Sequence, residues 1–191
     1  MDASNASYIY NTSDYYLFEA IPYAELANIS DNKTRVYNEL LNDRVADVEW
    51  YEMRNTGDSM YKEMTHHFVG CPVTTRRSID LNTLIDQKGI LGDARNILIK
   101  IDCQGAEIPI LRGASSIMSR TDFIILEMPL FGQYNAGVAS FSEHIQYMES
   151  IGFVVYDILD PHYINGFNMQ VDVLFINKNH EFNTQVNMLL M

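Results

Sequence analysis

The sequence has 191 residues, 47% of them hydrophobic and 12% aromatic, which excludes a disordered chain and allows one domain with a sizeable core. Thirteen Lys and Arg against 25 Asp and Glu leave a formal net charge of −12. That charge repels nucleic-acid phosphates and anionic membranes and favours a small-molecule or neutral carbohydrate partner. Cys71 and Cys103 are the two cysteines, without metal-ligand spacing, and read as free thiols of a reducing compartment. With no membrane-length apolar run and no secretory leader pattern, the expected location is cytoplasmic.

In chain order, "YYLFEA" is a short apolar run closed by Glu19 and predicts a strand, after which Pro22 opens a short helix over "PYAELANI". "RVYNELLND" (35–43) predicts a second strand, stopped by the polar pair Asn42 and Asp43. "VEWYEM" (48–53) alternates like a third, and "NTGDSMYKE" is a turn-rich loop with the first glycine of the chain, Gly57. "SIDLNTLIDQKG" predicts a helix with Ser78 as its cap and Gly89 as its stop.

Residues 97–101 form an apolar strand that ends on Asp102. "EIPILRGASSIMSR" follows as a helix that tolerates Pro109 in its first turn, where the missing N–H has no intrahelical partner to lose. "FIILEM" (123–128) is a buried-type strand, and "SFSEHIQYMESIG" is a helix marked by Ser140, by Glu143 three residues on, and by Gly152. "FVVYDIL" and "QVDVLFIN" are the last strands, with "DPHYINGFNM" expected to be a loop between them.

This alternation is that of an open α/β sheet, whose ligand crevice lies beyond the carboxyl ends of its strands. Glu19, Asp102 and Glu127 stand at such ends. Glu19 suits a ribose diol or plain solvent; Asp102 suits chemistry or an ion pair with Lys100, two residues back on the same strand face. Glu107 in a first helical turn is accounted for by the helix dipole, and Phe131 and Tyr134 are candidates to line a pocket. The histidines show no metal spacing, so no metal site is expected. His144 is expected on a helix surface, and His162, in the last loop, is kept as a general base.

The blocks "YLFEAIP", "NTGDSMYKE", "ILIKIDCQGAEIPILRGA", "FIILEMPLFGQYN", "FSEHIQYMESIGFVVYDIL" and "QVDVLFIN" resemble, in that order, the FkbM-type methyltransferases. The resemblance implies a Rossmann-like class I methyltransferase sheet with an antiparallel last strand, in one domain over residues 1–191. It also implies methyl transfer from S-adenosylmethionine to a hydroxyl of a sugar or natural-product acceptor. By position, Glu19 resembles the ribose-binding acid, Asn42 and Asp43 resemble neighbours of the adenine, and Asp102 resembles the acid between the methionine end and the acceptor. Asp102 and His162 are the candidate catalytic bases; Gln104 and Glu107 match the motif without an assigned role.

The family places a glycine-rich loop after its first strand, whereas here no glycine precedes Gly57 and eighteen residues precede Glu19. The expectation is therefore an N-terminally truncated sheet lacking that strand and loop, with "DASNASYIYNTS" matching the end of the first helix. Two other readings are a non-catalytic binding module that forms a homo-oligomer through unpaired strand edges, and a metal-dependent hydrolase using Asp102, Glu127 and a further acid.

Overall fold

The computed structural model describes residues 12–29, 31–55, 57–130 and 135–189, whose strands fall into three sheets. β1 (Tyr15–Phe18) pairs in parallel with β2 (Thr34–Tyr37). The second sheet contains β3 (Leu40–Asn42), β4 (Ala46–Tyr51) and β5 (Val73–Asp80), with β5 in the middle, parallel to β3 and antiparallel to β4. The third contains β6 (Ile97–Ile101), β7 (Thr121–Pro129), β8 (Phe153–Ile164) and β9 (Phe167–Asn177), in the spatial order β6-β7-β9-β8. β6 and β7 are parallel, and β9 runs antiparallel to both of its neighbours. Among the described residues, β1 and β6 are each paired along one edge only.

Among the described residues, four α-helices of more than one turn accompany the strands: α1 (Leu81–Lys88), α2 (Glu107–Gly113), α3 (Phe141–Ser150) and α4 (Glu181–Leu189). No helix among the described residues is long and apolar enough to cross a membrane. The core forms because β7 alternates: Ile124, Leu126 and Met128 are fully buried on one face. They pack with Ile101, Val173, Phe175 and Phe153 of the neighbouring strands, Met148 of α3 and Leu111 of α2. Each such side chain contributes about 1.5–3 kcal/mol by leaving water. A second cluster joins Leu81 and Leu84 of α1 to Ala114 and Ile117, with Leu41, Ile97 and Ile99 against it, and so ties the second sheet to the third. α2 approaches β3 so closely that a Cβ at Gly113 would lie 2.2 Å from the Asn42 carbonyl oxygen.

Several expectations need correction. The strand expected over 35–43 is two strands in different sheets; between them the Asn38 side chain donates to the carbonyls of Glu19 and Ala20 and caps the end of β1. The first predicted helix is a 3₁₀ turn, Ala24–Asn28. Ser78 is not a helix cap: it belongs to β5, and its hydroxyl lies 3.0 Å from the Arg44 carbonyl. Asp80 caps α1 instead, accepting from the Thr83 N–H at 2.8 Å. The helix predicted from Glu107 ends at Gly113 and continues as a 3₁₀ segment, Ser115–Arg120.

The loop expected around His162 is a hairpin. β8 and β9 stay paired up to Asn165 and Gly166, whose φ angles of 51° and 82° make the two-residue turn favoured by the strand twist. The capping box of α3 stands as expected, with Ser140 and Glu143 bonded reciprocally. Of residues 2–13, read as the end of a first helix, 2–11 lie outside the described residues, as do Phe131 and Tyr134.

Candidate functional site

The carboxyl ends of β6 and β7 bring acids together through strand register. Ile101 pairs with Leu126, which sets Asp102 level with Glu127, and Glu127 pairs directly with Asp172 of β9. Lys100, two residues before Asp102 and on the same face, places its Nζ 3.2 Å from Asp102 Oδ2 and 3.3 Å from Asp172 Oδ2. Burial lowers the Lys100 pKa, but its bonds to Asp102 and Asp172 outweigh that effect and hold the amine above its ordinary value.

Glu127 is the centre of the group. Its Oε2 accepts from Gln104 Nε2 at 2.9 Å and from Gln170 Nε2 at 3.1 Å. Burial first, and then the negative charges of Asp102, Glu107 and Asp172, push its carboxyl up to about 8, so it keeps its proton at pH 7. Asp102 also makes a side-chain hydrogen bond with it. On the far side, His162 of β8 pairs with Gln170, and one donor atom each from His162, Glu127 and Asp172 lie within 4.8 Å of one another.

The turn after β6 aims Gln104 at Glu127. Gln104 and Gly105 have φ of 57° and 113°, and at Gly105 any Cβ would lie 2.2 Å from Val138 Cγ2, so a side chain is excluded there. The turn is held from beneath by Glu107, which is 1% exposed and whose Oε1 accepts from the N–H groups of Cys103 at 3.3 Å and Gly105 at 3.1 Å. Glu107 Oε2 lies 3.8 Å from Nε2 of the fully buried His144, whose Nδ1–H donates to the Ser140 carbonyl at 2.9 Å. Burial and then the Glu107 charge push the Cys103 thiol well above its ordinary value. From the 55–63 loop, the Ser59 hydroxyl donates to the Gln104 carbonyl at 3.0 Å, and Tyr61 accepts through its carbonyl from Asn135 at 3.1 Å. Gln104, Glu127, Asn135 and Gln170 line one pocket.

A family model, the Methyltransferase FkbM domain, matches residues 3–155. The chain belongs to the FkbM methyltransferase family. No curated protein and no solved structure matches it.

In this FkbM-family chain the two residues expected to be catalytic, Asp102 and His162, come to one cluster through Glu127. The three others expected at the cofactor are elsewhere. Glu19 lies just beyond β1, with Oε1 accepting from the Ile21 N–H at 2.9 Å. Asn42 is buried at the end of β3, its Nδ2 3.4 Å from Ser78 Oγ, and Asp43 pairs with Arg44 at 3.0 Å. No described contact joins Glu19, Asn42 or Asp43 to the cluster.

The expectation of a surface position for His144 was incorrect, since it is fully buried; Glu107 stands in the first helical turn as expected and is buried as well, its carboxylate holding the preceding turn. The signal was present for His144: it shares a helix face with Phe141 and Met148, which pack in the core. Gln170 and Asp172, part of the Gln-Val-Asp that carries the family resemblance, were given no role at the site; an acid inside an apolar strand needs partners, and that need was the signal.

Proposed function

We propose that this protein transfers a methyl group from S-adenosylmethionine to a hydroxyl oxygen of a sugar or natural-product acceptor, beyond the carboxyl ends of β6 and β7. The observation that carries the reading is the convergence of Asp102, Glu127 and His162 at those strand ends in a chain of a methyltransferase family. When bound, the cofactor supplies an electrophilic methyl on sulfur. The chain's part is to hold the acceptor hydroxyl in line and to take its proton. Asp102 and His162 are both exposed and are the groups assigned to the proton. Glu127, protonated at neutral pH, is a hydrogen-bond donor to an acceptor oxygen and not a base.

The residues present fit the ribose end of the cofactor. Glu19 ends a parallel strand, and with Oε1 bonded to its own turn it retains Oε2 for a ribose hydroxyl. For the methionine end, the described residues include no glycine-rich loop after a central strand. β1 and β6 each carry one unpaired edge among the described residues, and a parallel strand between them would give the order β2-β1-new strand-β6-β7-β9-β8. That is the arrangement of a Rossmann-like class I sheet in which only the last strand is antiparallel.

Calorimetric titration with S-adenosylhomocysteine tests it. The expected result is micromolar binding, weakened at least tenfold by Glu19→Ala. Unchanged affinity in that variant removes the ribose assignment, and no binding by the folded protein overturns the reading.

A further inference from the structure

Glu127, His162 and Asp172 sit on three adjacent strands, β7, β8 and β9, so their spacing is set by backbone ladders: Glu127 faces Asp172, and His162 faces Gln170. Each offers one ligand atom, and the three atoms lie within 4.8 Å of one another. Independently of that spacing, Asp172 is 8% exposed, and its Oδ1 is buried with no hydrogen-bond partner. Its Oδ2 is already occupied by Lys100 at 3.3 Å. A buried carboxylate oxygen left unmatched is unfavourable, and a cation held by neighbouring donors is one partner that matches it. The charge balance agrees: Asp102 and Asp172 share the Lys100 ammonium, and Glu107 adds a further negative charge beside Glu127.

We propose that Glu127, His162 and Asp172 bind a divalent transition-metal cation through one imidazole nitrogen and two carboxylate oxygens. This mixed donor set suits ions such as Mn²⁺ and Zn²⁺ and leaves coordination positions open. Ligand atoms around such an ion lie about 3 Å apart, so binding draws the three donors inward, with exposed His162 making the largest adjustment, and the ion takes the place of the proton on Glu127, which is released to solvent. His162 and Asp172 lie beyond residue 155, where the family match ends, so the site is not part of what the match conveys.

The binding itself does not depend on the methyl-transfer reading. Resting on that reading, the open positions take an acceptor hydroxyl at the pocket that Glu127 shares with Gln104, Asn135 and Gln170. The ion then acidifies the hydroxyl, His162 serves as a ligand, and Asp102 is left to accept the proton.

The test uses Mn²⁺ alone, with free ion followed by its electron paramagnetic resonance signal as the purified protein is titrated. The expected result is saturable uptake of one equivalent. Asp172→Asn and His162→Ala should each weaken uptake at least tenfold, with unchanged circular dichroism, while His180→Ala, in an aromatic cluster with Phe123 and Phe182, should leave it unchanged. His162 is exposed, so its variant remains informative if Asp172→Asn does not fold. No saturable uptake up to millimolar Mn²⁺, or uptake insensitive to His162→Ala, overturns the proposal. S-adenosylhomocysteine binding is read separately, so failure of one idea is distinguishable from failure of the other.

Discussion

Glu127 of β7 stands directly opposite Asp172 of β9, two acids paired across an antiparallel ladder. Like charges so placed destabilise a sheet. Here the conflict is relieved unequally: Asp172 takes Lys100, and Glu127 keeps a proton.

That proton makes stability depend on pH. The folded-state value of Glu127 is about 8 against an ordinary 4.5, so between these values the folded chain holds a proton that the unfolded chain has released. The stabilisation is complete below 4.5 and is lost as pH rises through 8. Glu127→Gln stays neutral throughout, and its amide oxygen can still accept from Gln104 and Gln170. The expected outcome, in metal-free buffer, is that the variant and the parent melt alike at pH 5 and the variant melts higher at pH 8.5. Parallel melting curves across that range would show that Glu127 carries no retained proton.

Glu107 makes a different kind of contribution. Its Oε1 satisfies the N–H groups of Cys103 and Gly105, which hold the turn carrying Gln104. Glu107→Ala leaves these half-buried donors unpaired and is expected to cost about 2–4 kcal/mol in urea unfolding. Glu107→Gln retains an acceptor oxygen and should lose less than half of that. Equal losses in the two variants would assign the effect to charge, through His144, and not to the turn.

At Gly105 two penalties coincide, a φ of 113° and a Cβ position 2.2 Å from Val138 Cγ2. Gly105→Ala is expected to destabilise by about 2–3 kcal/mol. Adding Val138→Ala removes the clash and leaves the backbone strain, so the pair should recover part of the loss and not all of it. Full additivity of the two single losses would mean that the side chains do not meet.

How far the site could be read beforehand follows from where its information lies. β6, β7 and α3 were legible because their apolar periods and the Ser140–Glu143 box are local. β5 was missed because "VTTRRSID" has no apolar run; it becomes a strand by pairing with β3 and β4 on its two sides, a tertiary matter. α4, Glu181–Leu189, was likewise not anticipated. His162 was assigned to a loop although Asn165-Gly166 between two apolar runs is a hairpin signal, and with that signal its place on β8 was within reach. Glu107 carries no local mark of burial. Its first-turn position is explained equally well by the helix dipole, and only the approach of His144, thirty-seven positions later, decides between the two.

The choice between Ser78 and Asp80 as the cap of α1 can be checked directly. Asp80 Oδ1 accepts from the Thr83 N–H at 2.8 Å and Oδ2 from the Thr83 hydroxyl at 2.7 Å, whereas Ser78 faces the carbonyls of Arg44 and Ala46. Asp80→Ala therefore frees the first turn of α1 and is expected to cost about 1 kcal/mol, with faster hydrogen exchange at Thr83. Ser78→Ala should leave exchange at Thr83 unchanged and speed it instead in β4, whose residue Ala46 is the register partner of Ser78. If Ser78→Ala were the variant that loosened Thr83, the helix would begin where the local sequence pattern first placed it, and β5 would have to end before Ser78.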